Sequence, residues 1–242
     1  MNAYSALSRR YDALTEDIPY EAFAAYYQAE FRREGGEFQL LLDLCCGTGT
    51  LTWLLAGKGF EMIGTDASSE MLSEAVQKSS HAGVRPLFLC QAAEELDLYG
   101  TVDAAVSSLD SINYIPPQHF PAALKRLHLF IRPGGLFIFD LRSEKWLKQL
   151  DGGTFVDEKD DLLCLWRADF DRENDAIRYG VDIFSRKGRL WERQTEEHTE
   201  YVYREAETGQ MLRDAGFTLL KTDRNGPQGE IGREFYICRR NF

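Results

Sequence analysis

The sequence predicts an α/β fold: a doubly wound, seven-stranded, mostly parallel sheet with a terminal antiparallel hairpin, plus a small antiparallel β insertion. Three observations point to it. Short apolar runs alternate with amphipathic stretches from residue 20 to residue 141, the pattern of parallel strands covered by helices on both faces. The rhythm then changes to strand-length runs separated by "DREND" (171–175) and "RKGR" (186–189), which read as hairpin turns. Finally the chain returns to a helix and two strands joined by "RNGPQGEIG" (224–232), a hairpin closing a parallel sheet.

The elements follow in order. "YEAFAAYYQAEFRREGG" (20–36) is a helix, with Phe23, Tyr27 and Phe31 recurring every four residues and Gly35-Gly36 as its stop. "FQLLLDL" (38–44) is a continuous apolar run, as expected of a central strand buried on both faces. Residues 51–58 form the next helix, "FEMIGTD" (60–66) the second strand, and "SSEMLSEAVQKSS" (68–80) a helix capped by Ser68 or Ser69. "RPLFLCQ" (85–91) and "VDAAVSS" (102–108) are strands three and four. In "PQHFPAALKRLHLFI" (117–131), Phe120, Leu124, Leu127 and Ile131 share one helical face; "RPGG" (132–135) turns the chain into the strand "LFIFDL". The antiparallel insertion is carried by "DLLCLWRADF", "IRYGVDIFS" and "LWERQTEEHTEYVY"; "EAETGQMLRDAGF" is the last helix, before "FTLLKTD" and "EFYICRR".

Composition narrows the function. The chain has 242 residues, 44% hydrophobic and 28% charged, enough for one α/β domain carrying an insertion. No apolar run approaches the roughly 20 residues of a membrane span, and the first residues lack a signal-peptide core, so a cytoplasmic protein without membrane attachment is expected. The net charge is −11, and residues 151–205 hold 15 acidic against 9 basic side chains. That balance disfavours nucleic acid and favours a small or cationic substrate. Five cysteines (Cys45, Cys46, Cys90, Cys164, Cys238) make an odd count without a C-x-x-C pair. They suggest neither a disulfide framework nor a metal site. Cys45 and Cys46 read as small apolar residues ending a buried strand.

In an open doubly wound sheet, ligands bind beyond the carboxyl ends of the strands. Here the first strand runs into "DLCCGTGT", where Gly47 and Gly49 let the backbone turn sharply before a helix N-terminus. The second ends in "GTDAS", whose Asp66 lies 17 residues past Gly49, near the spacing of a ribose-binding carboxylate. Together these signals favour an adenosine-type ligand. A dinucleotide motif would place its third glycine where Thr52 stands. Asp43 adds a carboxylate beside the turn, a poor neighbour for phosphate but a suitable one for a sulfonium or ammonium group.

"LLDLCCGTGTLT", "GTDASSEML", "SSLDSINYI" and "IRPGGLFIFDL" resemble the ordered motifs of class I S-adenosylmethionine-dependent methyltransferases. The terminal hairpin is similar to that fold's last strands, and an N-terminal "Y-x6-Y-D" (Tyr4, Tyr11, Asp12) resembles a bacterial subgroup acting on small molecules, with a β-rich lid after strand five. The resemblance implies a methyltransferase domain at 1–142 and 206–242, with 1–36 as a helical cap and 143–205 as the lid. It implies that Asp43, Gly47, Thr48 and Gly49 surround the methionine part of S-adenosylmethionine. Asp66 would hold the ribose, with Ala67 and Met71 beside sugar and base. Gln91, Ala92 and Ala93 would flank adenine, Leu109, Asp110 and Ser111 would lie under the sulfonium, and Tyr4 and Tyr11 would close over the cofactor. Two positions depart from the family: Cys45 stands where it has glycine, and Ala92 where many members carry an adenine-binding aspartate.

Methyl transfer asks the protein to align a nucleophile with the methyl group and exclude water. Candidates for holding the acceptor or acting on it are Asp110, Asn113, Tyr114, His198 and Glu200. Asp110 and Asn113 have a purely structural alternative as turn formers, and Trp146, Trp166 and Trp191 either line an acceptor pocket or form the insertion's own core. The expected function is methyl transfer to a small-molecule acceptor. The alternatives are an NAD(P)-dependent oxidoreductase, disfavoured by Thr52 and the terminal hairpin, and a non-catalytic S-adenosylmethionine-binding protein.

Overall fold

A computed structural model describes residues 7–78, 85–229 and 231–242. Its helices are α1 (Ser8–Leu14), α2 (Tyr20–Glu34), α3 (Thr50–Gly57), α4 (Ser69–Gln77), α5 (Phe120–Phe130), α6 (Glu144–Gln149) and α7 (Glu205–Asp214). The main sheet contains β1 (Leu40–Leu44), β2 (Glu61–Asp66), β3 (Leu87–Cys90), β4 (Val102–Ser107) and β5 (Ile131–Arg142). A second sheet holds β6 (Thr154–Lys159), β7 (Leu162–Asp171), β8 (Ala176–Lys187) and β9 (Leu190–Tyr201); β10 (Phe217–Asp223) and β11 (Arg233–Arg240) rejoin the main one.

The seven-stranded order is β3-β2-β1-β4-β5-β11-β10. β1 to β5 pair in parallel, and β11 runs antiparallel between β5 and β10. Strand order reverses between β1 and β4, so their carboxyl ends open a crevice. The strands are apolar because both faces are covered. Leu42, Leu44, Ala105, Phe137 and Phe139 pack on the α5–α7 side. Their alternate neighbours Leu41, Ala104, Val106, Leu136 and Ile138 pack with Phe23, Tyr27 and Phe31 of α2, as side chains of period two require. Each such fully buried large side chain contributes about 1.5–3 kcal/mol of transfer free energy.

Gly35, left-handed at φ +65°, ends α2, and the Ser68 hydroxyl accepts from the Met71 amide to cap α4. Two sequence expectations shift. Ile131 is not on the α5 face; it opens β5 opposite Val102. "RPGG" is a bulge within β5 rather than a turn before it, since the pairing passes from Val102↔Ile131 to Ala104↔Leu136. Gly134 has φ +76°, and a Cβ on Gly135 would collide with the Asp103 carbonyl oxygen, so glycine permits the bulge.

The second sheet is antiparallel in the order β6-β7-β8-β9 and lies in the chain between β5 and α7. Its outer strand β6 and the preceding α6 escape the sequence reading. β6 is exposed along its whole length and carries no apolar alternation. The apolar side of this sheet packs with Leu147 of α6 and with Leu7, Tyr11 and Leu14 at α1, so the N-terminal helix sits between the two sheets.

Candidate active site

A cavity of about 840 Å³ lies between the carboxyl ends of β1, β2 and β4 and the second sheet, with α1 along one side. The turn after β1 contributes most of one wall. Cys45, Gly47 and Gly49 all have left-handed backbones, at φ +58°, +55° and +69°, so every second residue of the turn favours glycine. Gly47 faces open space, and its amide donates to Asp66 Oδ2 at 2.8 Å. Gly49 turns the other way: a Cβ there would stand 3.0 Å from the Phe88 ring. It therefore shapes the turn without lining the cavity.

Asp66 ends β2 with both oxygens engaged, since Oδ1 also accepts the Ser68 amide at 2.8 Å. Burial raises its pKa, while the Ser68, Gly47 and Ala67 amides oppose the shift. Asp43, nearly fully buried, accepts the Thr52 hydroxyl at 2.6 Å. Burial pushes its carboxyl up to about 7; Thr52 opposes this and the charge of Asp66 adds to it. The residue that replaces a third glycine thus serves the carboxylate beside the turn. Burial pushes the Cys45 and Cys46 thiols well above their usual value, which keeps them protonated and poor nucleophiles.

The third wall is the loop after β4. Leu109 and Asp110 are both left-handed, at φ +59° and +55°, a costly pair for residues with side chains. What over-determines them is Asp140 of β5, whose two oxygens accept the Leu109 and Asp110 amides at 2.9 and 2.8 Å. Arg233 of β11 pairs with Asp140 and reaches Asp110 Oδ1 at 2.6 Å. Ser111 donates to the Ser108 carbonyl at 2.6 Å. Asn113 stays off the cavity wall. Its Nδ2 donates to the Tyr201 carbonyl and its Oδ1 accepts the Arg142 amide, both at 2.9 Å, tying this loop to β5 and β9.

The second sheet faces the cavity with Asp157, Trp166, Tyr179, His198 and Glu200, at least one from each strand. Trp166 Nε1 donates to Asp157 Oδ2 at 2.9 Å. The His198 ring lies 6.0 Å from Trp166 and 6.2 Å from Tyr114, with Nε2 3.2 Å from Glu196 Oε2. Glu200 is 5% exposed, and its pKa is pushed up to about 8 by burial and then Asp110, against Arg142 and Arg233. Trp146 packs instead against Gly232 and under the Arg142 guanidinium, and Trp191 is half exposed at the far hairpin.

At the N-terminal side, Tyr11 lines the cavity, and burial together with Tyr20 raises its pKa. Asp12 accepts the Thr48 hydroxyl at 2.6 Å and pairs with Lys78 at 2.7 Å, fastening α1 to the glycine turn. Tyr4 lies outside the described residues.

Of the residues singled out from sequence, Tyr11, Asp43, Gly47, Thr48, Asp66, Ala67, Met71, Ala92, Leu109, Asp110, Ser111 and His198 share the one cavity. Gln91 does not; its amide pairs with Asp97, donating to the carbonyl and accepting the backbone N–H, both at 3.1 Å. The sequence reading missed Asp140, Arg142, Tyr179 and Arg233. Two of them left a signal. Asp140 is a carboxylate inside an apolar strand, which demands a buried partner, and Arg233 opens the neighbouring strand just before the apolar run "FYIC".

The wall chemistry fits S-adenosylmethionine. Gly47 leaves its side open, Asp43 and Asp66 offer carboxylates suited to hydroxyl donors and to a cationic group, and the acidic lining is a poor host for a pyrophosphate. Fold and site together define a class I S-adenosylmethionine-dependent methyltransferase, and the chain belongs to that family. Residues 41–135 match the model described as "Methyltransferase domain". The chain is 31% identical over 220 residues to the putative methyltransferase YqeM of Bacillus subtilis (strain 168), covering 89% of this chain and 87% of that protein. A solved S-adenosylmethionine-dependent methyltransferase from Clostridium acetobutylicum ATCC 824 superposes over 100% of both chains, with TM-score 0.87 and 29% identity. The fold is shared with S-adenosylmethionine-bound CalS10, an amino pentose methyltransferase of Micromonospora echinaspora (TM-score 0.76, 18% identity, 100% of this chain and 99% of that one). The chain is therefore an enzyme that uses S-adenosylmethionine, which sets aside the oxidoreductase and non-catalytic alternatives. Among the described residues, no helix is long and apolar enough to cross a membrane.

Proposed function

We propose that the enzyme methylates a small molecule enclosed between the end of the main sheet and the second sheet, which acts as a lid. The observation that carries this reading is that His198, Glu200, Tyr179 and Trp166 of the second sheet line the same cavity as Asp43, Asp66 and the 109–111 loop. A volume of about 840 Å³ falls within the roughly 300–1,000 Å³ of small-molecule sites. CalS10, which shares the fold, is described as acting on an amino pentose, an acceptor of that size class.

In this reading Asp66 receives the ribose hydroxyls, with Ala67, Met71 and Ala92 around sugar and base. Asp43, Gly47 and Thr48 surround the amino-acid end, and Tyr11 covers it. When bound, the cofactor supplies an electrophilic methyl group on a sulfonium. Leu109 to Ser111 hold the strained backbone beneath that position, and Asp140 keeps them there. The lid residues exclude water and orient the acceptor, the alignment that most lowers such a barrier.

The test is S-adenosylhomocysteine release by the purified chain, offered either the low-molecular-weight or the macromolecular fraction of a cell extract. Release with the small fraction supports the reading. Release confined to RNA or protein contradicts it.

A further inference from the structure

We propose that the acceptor is an amine that also carries an anionic group, with Glu200 receiving the amine and Arg142 the anion. This inference rests on the small-molecule reading above. Three observations carry it.

The first is Glu200. It is 5% exposed, lines the cavity, and its buried Oε2 has no hydrogen-bond partner among the described residues. An orphaned carboxylate oxygen in a buried site costs free energy unless a ligand donates to it. Tyr114 and Tyr179 hydrogen-bond with this carboxyl group from the loop and from β8, which fixes its place beside the cavity.

The second is Arg142, at the carboxyl end of β5. Its guanidinium makes no hydrogen bond among the described residues: the nearest carboxylate, Asp110, stands 3.7 Å from Nε, and Trp146 supplies a ring face 5.4 Å from Cζ. The other arginine of the wall, Arg233, is held by Asp110 and Asp140. Arg142 therefore has a donor fork open to the cavity, with the geometry that carboxylates and phosphates match.

The third is the charge of the wall. Asp66, Glu94, Asp110, Asp157 and Glu197 outnumber Arg142 and Arg233 in the lining, so a purely anionic acceptor is repelled and a cationic group is drawn in. A molecule bearing both an ammonium and an anion satisfies Glu200 and Arg142 together.

Transfer breaks the carbon–sulfur bond of the methyl group with its electron pair left on sulfur. It forms a nitrogen–carbon bond from the amine lone pair. The amine reacts as its free base, and the proton lost from nitrogen passes to Glu200 in its ionised form, which gains population as pH rises toward 8, and from there to water.

The test uses S-adenosylmethionine labelled with carbon-13 in the methyl group, the full chain, and separated small-molecule and macromolecular fractions of a cell extract. Products are read by proton–carbon correlation and by retention on an anion-exchange column. The expected product is a small N-methyl compound retained by the column. Arg142→Met should slow its formation at least tenfold at subsaturating acceptor, mainly through KM, with Arg142→Lys recovering part of the loss. Glu200→Gln should act mainly on kcat. Calorimetry should find S-adenosylmethionine affinity unchanged in all three variants, which separates a lost acceptor contact from a lost fold.

A small labelled product that is neutral, purely cationic, or methylated on oxygen or carbon overturns this inference and leaves the small-molecule reading standing. Label confined to macromolecules, or found in neither fraction, overturns both. Weakened cofactor binding in Arg142→Met overturns its assignment to the acceptor.

Discussion

Arg233, from the last strand, lies against the Asp140 carboxylate near the carboxyl end of β5, with both side chains almost fully buried. The pair ties the terminal hairpin to the cavity-lining loop after β4, because the same Asp140 oxygens hold the Leu109 and Asp110 amides. Removing one partner of a buried pair leaves an uncompensated charge and costs about 3–5 kcal/mol. Arg233→Met should lose stability of that order in urea unfolding, less at pH 5 than at pH 8, because burial raises the Asp140 pKa and the stranded carboxyl can protonate. A loss under about 1 kcal/mol at pH 8 would show that the pair does not organise the loop.

Cys45 occupies a left-handed position at φ +58°. A side chain there costs about 1–2 kcal/mol, of which glycine recovers part after its own entropic cost. Cys45→Gly should therefore leave stability unchanged or raise it by up to about 1 kcal/mol. Cys45→Val, β-branched in the same backbone, should destabilise by about 2 kcal/mol or more. Thermal melts of the two variants decide it; equal stabilities would mean that the turn relaxes around either residue.

Asp66 carries two duties, ordering the turn through Gly47 and Ser68 and, as proposed, receiving the ribose. Asp66→Ala should weaken S-adenosylmethionine binding by about 1–3 kcal/mol, the usual range for losing a charged acceptor. Calorimetry on variant that still melts cooperatively is the check, and wild-type affinity there would remove Asp66 from the cofactor site.

Glu200 sets a pH dependence of stability. Its folded pKa, about 8, lies above its ordinary value of 4.5. Its contribution to stability is therefore complete below pH 4.5 and is lost as pH rises toward 8, at roughly 1.4 kcal/mol per pKa unit. Glu200→Gln removes that term, so wild type should fall behind the variant between pH 5 and pH 9. Asp43, at about 7, adds a slope of the same sign in both proteins. Parallel stability curves across this range would contradict the burial of an ionisable Glu200.

Much of the fold was legible because both faces of the main sheet are covered, which leaves apolar runs such as "LLLDL" and "LFIFDL" that announce buried strands. The glycine turn and Asp66 were legible for a local reason: left-handed backbone and a strand-ending carboxylate leave marks in adjacent residues. What stayed hidden is long-range. Nothing near Asn113 signals that its amide spans Tyr201 and Arg142, and nothing near Gln91 that it closes on Asp97. Exposed β6 has no apolar period to read. "RPGG" looked like a turn because glycines at a bulge and at a turn leave the same trace.

The central claim is that one cavity holds the cofactor at Asp66 and the acceptor beneath Glu200. A crystal structure of the chain with S-adenosylhomocysteine tests it most directly. The ribose hydroxyls should lie within hydrogen-bond distance of Asp66 and the sulfur above the 109–111 loop, facing His198 and Glu200. A ribose held elsewhere, or a sulfur turned away from the second sheet, would contradict it.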